Sequence, residues 1–318
     1  MRDPSHVFED FLSFQERSIG KVVDTGHTLA MIEPFLEHRP LLFSIAYRML
    51  GSVAEAEDTV QDTFLRWQSV ADKKEEIRSS KAWLVATVTR LSIDRLRSAQ
   101  RRREQYVGVW LPEPLMATTI DCPKQNGALA DSLSTAFMVM LETLTPEERA
   151  VFILREAFDY SYNEISPIVG KSEANCRQIG RRAKEHLSQP GRRRPIDPVR
   201  AETLVQQFLS ACRDGDVESL MTVLAEDSTL MSDGGGRVRA ALRPIQGVER
   251  IARFLFGIQK NVPGDAEFRL ENFNGGKGIL VVSAGIPISV LTFSVTGGQI
   301  AGIYIISNPD KLRHLNQP

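Results

Sequence analysis

Residues 145–187 restrict the possible folds of this 318-residue chain more than any other part of its sequence. Thr145 precedes a proline and two glutamates, which is typical of the capped first turn of a helix. Further along, a short helical pattern at 161–169 is followed by a Gly-Lys-Ser turn, and Ser172 of that turn can cap another helix. Two short helices joined by a glycine-containing turn predict a helix-turn-helix.

The second of these helices carries a basic stripe. Arg177, Arg181 and Lys184 recur at intervals of four and three residues, so they share one side of the helix, with Arg182 beside them. Basic side chains on the outer face of such a helix suit phosphate contacts and guanine recognition in a major groove. The stripe predicts DNA contact, although by itself it leaves open a solvated basic face that binds no partner.

The overall charge conceals this basic character. The formal net charge is −1 at pH 7, yet arginines cluster over residues 95–103 and again over 177–194. The acidic residues that balance them lie mostly elsewhere in the chain. Local basic patches on a neutral chain are compatible with a partner that is an acidic polymer.

Helical patterns also fill residues 28–103. Phe35, Leu42 and Met49 recur at helical spacing before Gly51, which ends that helix. An S-x-x-E sequence at 52–55 predicts a capping box for the next helix, and a third helix is expected from about residue 80 to residue 102. These patterns predict an all-α domain ahead of the helix-turn-helix.

Proline-containing segments divide the chain. Three prolines mark residues 104–128 as a linker, and the sequence QPGRRRPIDP marks 189–198 as a second one, so the helical domains are expected to take many relative positions.

From 199 onward, two helical stretches precede glycine-punctuated runs rich in valine, isoleucine and phenylalanine, which predict an α+β domain. The apolar run 278–295 contains Gly285 and Pro287, so it is expected to form two strands rather than a membrane helix.

The cysteines argue against several kinds of site. Cys122, Cys176 and Cys212 are widely spaced, and the sequence contains no CxxC motif or Cys/His cluster. We therefore expect no metal site and no disulfide framework. The first residues lack the apolar core of a signal peptide, so a cytoplasmic location with no membrane partner is expected.

Three stretches resemble a known family. LTPEERAVFILREAFDYSYNEISPIVGKSEANCRQIGRRAKEHL resembles sigma region 4, which docks on the promoter −35 element. FSIAYRMLGSVAEAEDTVQDTFLRW resembles sigma regions 2.1 and 2.2, and KAWLVATVTRLSIDRLRSAQRRRE resembles regions 2.3 and 2.4. Because no region 3 separates the two blocks, the arrangement resembles the extracytoplasmic-function class of RNA polymerase sigma factors.

Shorter motifs resemble one subgroup of that class. WLPEP at 110–114, DGGGRVRAALRPIQG at 233–247 and NPDKL at 308–312 are similar to those of sigma factors fused to a SnoaL-like domain of the NTF2-like, ketosteroid-isomerase-related fold. The resemblance implies a multidomain fold of two all-α sigma domains followed by an α+β NTF2-like cone domain. Region 2 would span 28–103, region 4 would span 129–188, and the cone domain would span 199–318, with residues 1–27 as a flexible N-terminal extension.

The resemblance implies an alternative sigma factor whose partners are core RNA polymerase and promoter DNA. The polar face of the second helix would bind core polymerase through Asp58, Gln61, Asp62 and Arg66. The loop 69–79 and the helix after it would handle the −10 element, with DNA contacts from Lys81, Arg90, Arg95 and Arg97. Trp83 falls on the apolar stripe of that helix, so core packing is favoured for it over base stacking.

Region 4 and the appended domain supply the remaining predicted sites. The −35 contacts would come from Ser172, Asn175, Arg177, Arg181, Arg182 and Lys184. Pro167 departs from the family pattern and should bend or tighten its helix, because it cannot donate a hydrogen bond to Asn163. Regulatory contacts of the appended domain are expected at Trp110, Asp233, Gly234, Gly235, Gly236, Asn308, Pro309, Asp310, Lys311 and Leu312.

Two other functions stay open at this point. A helix-turn-helix regulator that binds DNA without polymerase would need a dimer interface and has no use for the first helical domain. An enzymatic or ligand-binding SnoaL-like domain would need a carboxylate or histidine in an apolar pocket, and Asp233 is expected in a flexible exposed loop instead. We therefore predict that the chain is no enzyme and needs no cofactor, while an unknown small ligand of the C-terminal domain stays open.

Overall fold

A computed structural model describes residues 25–70, 77–116, 133–187 and 198–316. The expected N-terminal extension up to residue 24, part of the 69–79 loop, the rest of the first linker and nearly all of the second linker lie outside the described residues. No helix among the described residues is both long and apolar enough to cross a bilayer.

The first helical domain consists of α1 (Thr25–Leu50), α2 (Val53–Val70) and α3 (Ser80–Arg103). Ser79 caps α3 by accepting a hydrogen bond from the Ala82 N–H. The apolar stripes of the three helices meet in a core in which the rings of Trp67 and Trp83 lie 5.4 Å apart. This packing role for Trp83 is the one that its place on the apolar stripe favoured.

The second helical domain comprises α4 (Thr135–Leu141), α5 (Pro146–Glu156), α6 (Tyr162–Val169) and α7 (Glu173–Leu187). Thr145 and Ser161 each form a complete capping box, which explains why α5 and α6 begin where they do. Gly170 ends α6 in a left-handed conformation with φ 67°, which lets the chain turn sharply into α7. The prediction of a helix-turn-helix is confirmed.

The two helical domains are packed on each other. Their buried residues, such as Phe35 and Leu84 from the first domain and Ile153 and Ile168 from the second, belong to one continuous hydrophobic core. In this conformation the two domains are in contact, and their expected range of relative positions on the linker stays a prediction. The two domains share apolar surface that each would otherwise expose to water.

The C-terminal domain is a curved sheet covered by helices. It contains α8 (Pro198–Asp214), α9 (Val217–Val223), β1 (Leu224–Asp233), β2 (Ile245–Gln246), α10 (Val248–Gln259), β3 (Glu267–Phe273), β4 (Gly276–Ser283), β5 (Ile286–Thr296), β6 (Gln299–Ile306) and α11 (Pro309–Leu312), before a 3₁₀ turn at Arg313–Asn316. The strand order is β2-β1-β6-β5-β4-β3, with register shifts in three of the pairings. Such irregularities bend a sheet, and the predicted α+β cone is confirmed.

The sheet is buried on both faces. Ile279 and Val281 of β4 point toward α8 and α10, whereas Leu280 and Val282 point the other way, toward a cluster that includes Leu111 of the linker. This double burial explains why β4 is continuously apolar, as predicted for a buried strand. The second face packs on the linker and on α4, and Asn274 donates a hydrogen bond to the Tyr47 hydroxyl of α1, so the C-terminal domain contacts both halves of the helical unit.

Candidate functional site

The second helix of the helix-turn-helix, α7, presents its basic residues to solvent. The side chains of Arg177, Arg181 and Lys184 are 65%, 71% and 50% exposed, and Arg182 is exposed beside them. Their ion pairs are with neighbouring acids, for example Lys184 with Glu156 at 2.8 Å. Exposed pairs of this kind contribute little and can be exchanged for other anions at small cost. The face is therefore available to a phosphate-bearing partner.

The opposite side of α7 holds it in place. Its buried residues are Cys176, Gly180 and Ala183, spaced by four and three residues. Of the other small or apolar residues of this helix, Ala174 is exposed and Ile179 is only half-buried. Sequence reasoning overlooked Gly180 because a glycine has no side chain to add to a hydrophobic pattern, whereas here the Tyr162 ring lies directly against it.

The turn residues of the predicted −35 set have structural roles as well. The Ser172 hydroxyl accepts a hydrogen bond from the Asn175 N–H at 3.3 Å, so the predicted cap of α7 is present. Both side chains are exposed at the start of α7. They lie where a recognition helix approaches DNA with its N-terminal end.

Pro167 does not break α6, which runs through it to Val169. The carbonyls of Pro167 and Ile168 instead accept hydrogen bonds from the Arg90 guanidinium, at 2.5 Å and 2.9 Å. A cation at the C-terminal end of a helix satisfies carbonyls that have no partner within the helix and complements the helix dipole. α6 is thereby fastened to α3 of the first domain.

The predicted −10 residues are mostly engaged within the protein. Besides Arg90, Arg97 contacts Glu147 of α5 at 2.5 Å, and Arg95 contacts Asp62 of α2 at 2.6 Å. Lys81, the fourth member, is exposed at the start of α3. A cleft of about 300 Å³ lies between α3 and the second domain, lined by both Arg90 and Arg97. The predicted −10 surface is therefore partly covered by the second helical domain.

The predicted polymerase-binding residues lie along α2. Asp58, Gln61 and Arg66 are exposed, whereas Asp62 is half-buried because it pairs with Arg95. Leu65 lies between them with 53% of its side chain exposed, and sequence reasoning missed it. A large apolar residue on an otherwise polar helix face was the available signal, since interfaces combine apolar contacts at their centre with a polar rim.

A buried ionic cluster joins the two helical domains. Glu142, next to α4, accepts hydrogen bonds from Arg103 of α3 and from Arg149 of α5, the latter at 2.6 Å. Arg149 is fully buried, and its Nε atom also donates to the Arg48 carbonyl. Burial alone would raise the pKa of Glu142, but the guanidiniums of Arg149 and Arg103 hold it below its usual value. The carboxylate therefore stays charged and bridges the domains.

The linker and the two motifs of the C-terminal domain meet at a second buried cluster, which we call the junction (Tyr106, Leu111, Asp233, Asn308 and Lys311). Asp233 accepts hydrogen bonds from the Tyr106 hydroxyl at 2.6 Å, from the Leu111 N–H at 2.9 Å and from Lys311 at 2.7 Å. Asn308 also donates to the Tyr106 hydroxyl. The structure thus brings the three motifs together.

The junction corrects the expectation that Asp233 lies in a flexible exposed loop. Asp233 is 1% exposed and its carboxylate has three hydrogen-bond donors from distant parts of the chain. Burial lowers the pKa of Lys311 to about 8, while the charge of Asp233 opposes that shift, so the lysine is mostly charged at neutral pH. Its ammonium also lies 4.1 Å from the centre of the Trp110 ring, a cation–π contact.

The remaining predicted contact residues surround the junction. Gly235 has φ 61°, and the Asn308 amide approaches so closely that a Cβ at this position would lie 2.2 Å from it. Gly234 is buried and Gly236 is exposed in the same turn, next to the linker residue Val107. Pro309 starts α11, Asp310 is partly exposed, and Leu312 is buried in the cluster behind the sheet.

Glu113 of the WLPEP motif is a further residue that sequence reasoning missed. Its carboxylate accepts hydrogen bonds from the Ser52 hydroxyl and the Val53 N–H, both at 2.7 Å, and so caps α2. The predicted capping box is only half formed, because Ser52 accepts from the Glu55 N–H while the Glu55 carboxylate pairs with Arg102. A carboxylate held between two prolines was the signal in the sequence.

Two further carboxylates of the C-terminal domain also have structural partners. Asp265 accepts hydrogen bonds from the Ser283 hydroxyl at 2.9 Å and the Ala284 N–H at 2.8 Å. These bonds lower the pKa of Asp265 and connect the segment just before β3 to the β4–β5 turn. Asp310 pairs with Arg237 and Arg313. The described residues contain no group of three or more His, Cys, Asp or Glu side chains that could hold a metal ion.

Comparisons with known proteins agree with this architecture. The Sigma-70 region 2 family matches residues 35–102, which cover most of α1 to α3. The Sigma-70 region 4 family matches residues 134–187, from α4 to the end of α7. Both matches fall on the helical unit and in the predicted order.

Similarity to individual proteins extends over nearly the whole chain. The ECF RNA polymerase sigma factor SigJ of Mycobacterium tuberculosis is 34% identical over 294 residues, which cover 88% of this chain and 92% of SigJ. The probable ECF sigma factor SigI of the same species is 32% identical over 189 residues, covering 59% of this chain and 64% of SigI. The crystal structure of M. tuberculosis SigJ aligns with a TM-score of 0.69 at 29% identity, covering 90% of this chain and 99% of that one.

Proposed function

The chain belongs to the extracytoplasmic-function family of RNA polymerase sigma factors, and from this premise we propose how its surfaces divide the work of promoter recognition. It is an alternative sigma factor, so it acts together with core polymerase. The observation that carries our assignment of surfaces is the exposed basic face of α7, whose opposite face is buried in the second helical domain. The exposed polar face of α2 lies on the first helical domain, which packs against the second.

We assign core-polymerase binding to the exposed face of α2. Asp58, Gln61 and Arg66 would contribute polar contacts, and Leu65 would contribute the apolar anchor. Asp62 has a different role in this assignment, because it positions Arg95 of α3. Polar side chains on a rigid helix with a central apolar group fit the usual anatomy of a protein interface.

Replacing Gln61 and Arg66 together by alanine is expected to weaken binding to core polymerase by about tenfold or more, since both side chains are exposed and neither belongs to the core. The matched control is Gln246→Ala with Arg250→Ala, the same residue types exposed on the C-terminal domain. Competition for core polymerase against a labelled sigma factor measures the effect. Equal competition by both double variants would refute the assignment.

We assign −35 recognition to α7 and its capping turn. Arg177→Ala or Arg181→Ala should cost about 1–3 kcal/mol of discrimination between the preferred and a mismatched −35 sequence if the arginine reads a base. If the arginine contacts only phosphate, binding should weaken on every sequence. The slope of log affinity against log salt concentration should then become shallower by about one. The measurement is holoenzyme binding to both duplexes at several salt concentrations.

A control separates recognition from general charge. Arg269 is also an exposed arginine but lies on β3 of the C-terminal domain, so Arg269→Ala should leave both affinities unchanged. If the α7 variants behave like Arg269→Ala, the recognition face has been placed on the wrong helix.

We assign −10 recognition to α3 and infer that the conformation described here restrains it. Arg90 and Arg97 are occupied by α6 and α5 of the second domain, so an open arrangement would free them for DNA. In the conformation described here, which we call the closed arrangement, the C-terminal domain contacts both the linker and α4. If opening breaks these contacts, the C-terminal domain stabilises the closed arrangement by the free energy of those contacts. In this proposal the fused domain modulates promoter recognition.

The rival functions have less support. A core-independent helix-turn-helix regulator would not need the region 2 domain that this chain carries in full from α1 to α3. SigJ, which this chain matches over nearly its whole length, is named as a sigma factor and not as an enzyme.

A further inference from the structure

The C-terminal domain encloses a cavity that neither sigma region uses. Its volume is about 830 Å³, and it lies between the inner face of the sheet and helices α8 and α10. Apolar side chains form its walls, among them Phe208, Phe254, Ile279, Leu291 and Ile305. A volume of this size falls within the range of roughly 300–1,000 Å³ that is usual for small-molecule sites.

The charged residues of the cavity lining are all arginines. Arg213, Arg239 and Arg253 come from α8, from the loop after β1 and from α10, and the lining contains no aspartate, glutamate or histidine. All three residues are exposed, so their guanidiniums mark the places where the cavity meets solvent. Within the described part of the chain, none of the three forms an ion pair, although other exposed arginines such as Arg237 and Arg269 do.

We propose that this cavity binds an amphiphile with an apolar chain and a single carboxylate head, of the chemical class of free fatty acids. The chain would lie against the apolar walls, and the head would accept hydrogen bonds from an arginine where the cavity meets solvent. Burial of the chain supplies the favourable free energy, and the guanidiniums, which match carboxylate geometry, select the anion. The lining contains no carboxylate or imidazole to act as a general acid or base, which fits a binding site.

The cavity and the junction share structural elements. Ser232 and Ser307 line the cavity, and each is next to a junction residue, Asp233 and Asn308 respectively. The Ser232 hydroxyl accepts a hydrogen bond from the Ala241 N–H at 2.7 Å and so holds the loop that forms part of the cavity wall. A bound ligand therefore contacts the strand end and the loop that position Asp233, and this coupling rests on the proposed regulatory function.

Ligand binding is tested on the purified full-length chain without polymerase, by calorimetric titration with dodecanoate below its critical micelle concentration. We expect one site, and dodecylammonium, which has the same chain and the opposite charge, should bind at least about tenfold more weakly. Anionic phosphatidylglycerol vesicles form a third titration. Binding to the vesicles alone, or equal binding of the two amphiphiles, would overturn the proposal.

Two matched pairs of variants locate the site. Arg253→Ala should weaken dodecanoate binding about tenfold or more, whereas Arg250→Ala, on the same helix but outside the cavity lining, should not. A Cβ at Gly257 of α10 would meet no atom within 4 Å, so a side chain can start there. Gly257→Phe should occupy part of the cavity and abolish binding, while Gly257→Ala should retain it. Unchanged binding in Arg253→Ala and Gly257→Phe would place the ligand elsewhere and refute the site.

The regulatory coupling has a separate readout. Single-round transcription with core polymerase should change when dodecanoate is added to the wild type and should not change with Gly257→Phe. Calorimetric binding without any transcriptional effect would reject the coupling and leave the ligand site standing. If the α2 variants compete for core polymerase as well as the wild type does, only the proposed polymerase-binding surface is refuted. The ligand site is tested separately by calorimetry, so the two failures can be told apart.

Discussion

Asp233→Ala is expected to lower the free energy of unfolding of the C-terminal domain by about 3–5 kcal/mol, because it leaves a buried lysine without its counter-charge. The Lys311 and Asp233 side chains are only 8% and 0% exposed, so water cannot replace the lost carboxylate at Lys311. The Tyr106 hydroxyl and the Leu111 N–H lose an acceptor at the same time. Equilibrium unfolding in urea, followed by circular dichroism, measures the loss.

Asp310→Ala is the matched control for this experiment. Asp310 lies three residues beyond the β6–α11 connection at Ser307 and also pairs with basic side chains, but it is 36% exposed. Exposed pairs contribute about 0–1 kcal/mol, so its replacement should have little effect. Similar losses in the two variants would contradict a special role for the buried pair.

A second variant separates the unpaired charge from the lost contacts. Adding Lys311→Met to Asp233→Ala removes the buried ammonium, so the double variant should recover part of the stability that the single variant loses.

Under conditions in which it stays folded, Asp233→Ala should also raise single-round transcription, because it weakens the contacts that favour the closed arrangement. Output equal to that of Asp310→Ala would show that the junction does not restrain promoter recognition.

Glu142→Ala is expected to have an effect of similar size on the helical unit, about 3–5 kcal/mol, since a fully buried and a largely buried guanidinium lose their shared carboxylate. Arg149 is fully buried and Arg103 is 13% exposed, and they come from different domains. The variant should therefore weaken the packing between the two domains as well as lower the overall stability. Hydrogen exchange at α3 and α5 would report their separation, alongside urea unfolding.

The pair between Arg39 and Glu57 provides the control. Its atoms are 2.7 Å apart, nearly the same distance as between Arg149 and Glu142, but its side chains are 42% and 46% exposed. Glu57→Ala should cost no more than about 1 kcal/mol, since water solvates the arginine that remains. If Glu57→Ala and Glu142→Ala cost the same, burial is not the reason for the larger effect.

Much of the candidate site could be read from the sequence because its signals are local. The capping boxes at Thr145 and Ser161, the turn at Gly170 and the spacing of Arg177, Arg181 and Lys184 all depend on residues within a few positions of each other. The hairpin inside the apolar run 278–295 was predicted for the same reason, from a glycine and a proline near its turn.

The occupied state of the −10 residues could not be predicted in this way. Whether Arg90 faces DNA or the end of α6 depends on how two domains pack, and its partner carbonyl belongs to a residue 78 positions away. The same holds for Glu113, which caps a helix 60 residues earlier in the chain, and for the contact between Lys311 and Asp233. Sequence periodicity reports which face of a helix is apolar but not which surface covers it.

The sequence by itself therefore determined the elements of this protein: the helix-turn-helix, the capped helices of both helical domains, the strands of the C-terminal sheet and the family to which they belong. Only the tertiary structure decided that these domains form one closed unit, with Glu142 largely buried and Asp233 fully buried at its contacts. The physical reason is that local hydrogen bonds and side-chain periodicity fix each element over a few residues. Burial of charge and of apolar surface between elements, in contrast, depends on their arrangement in three dimensions.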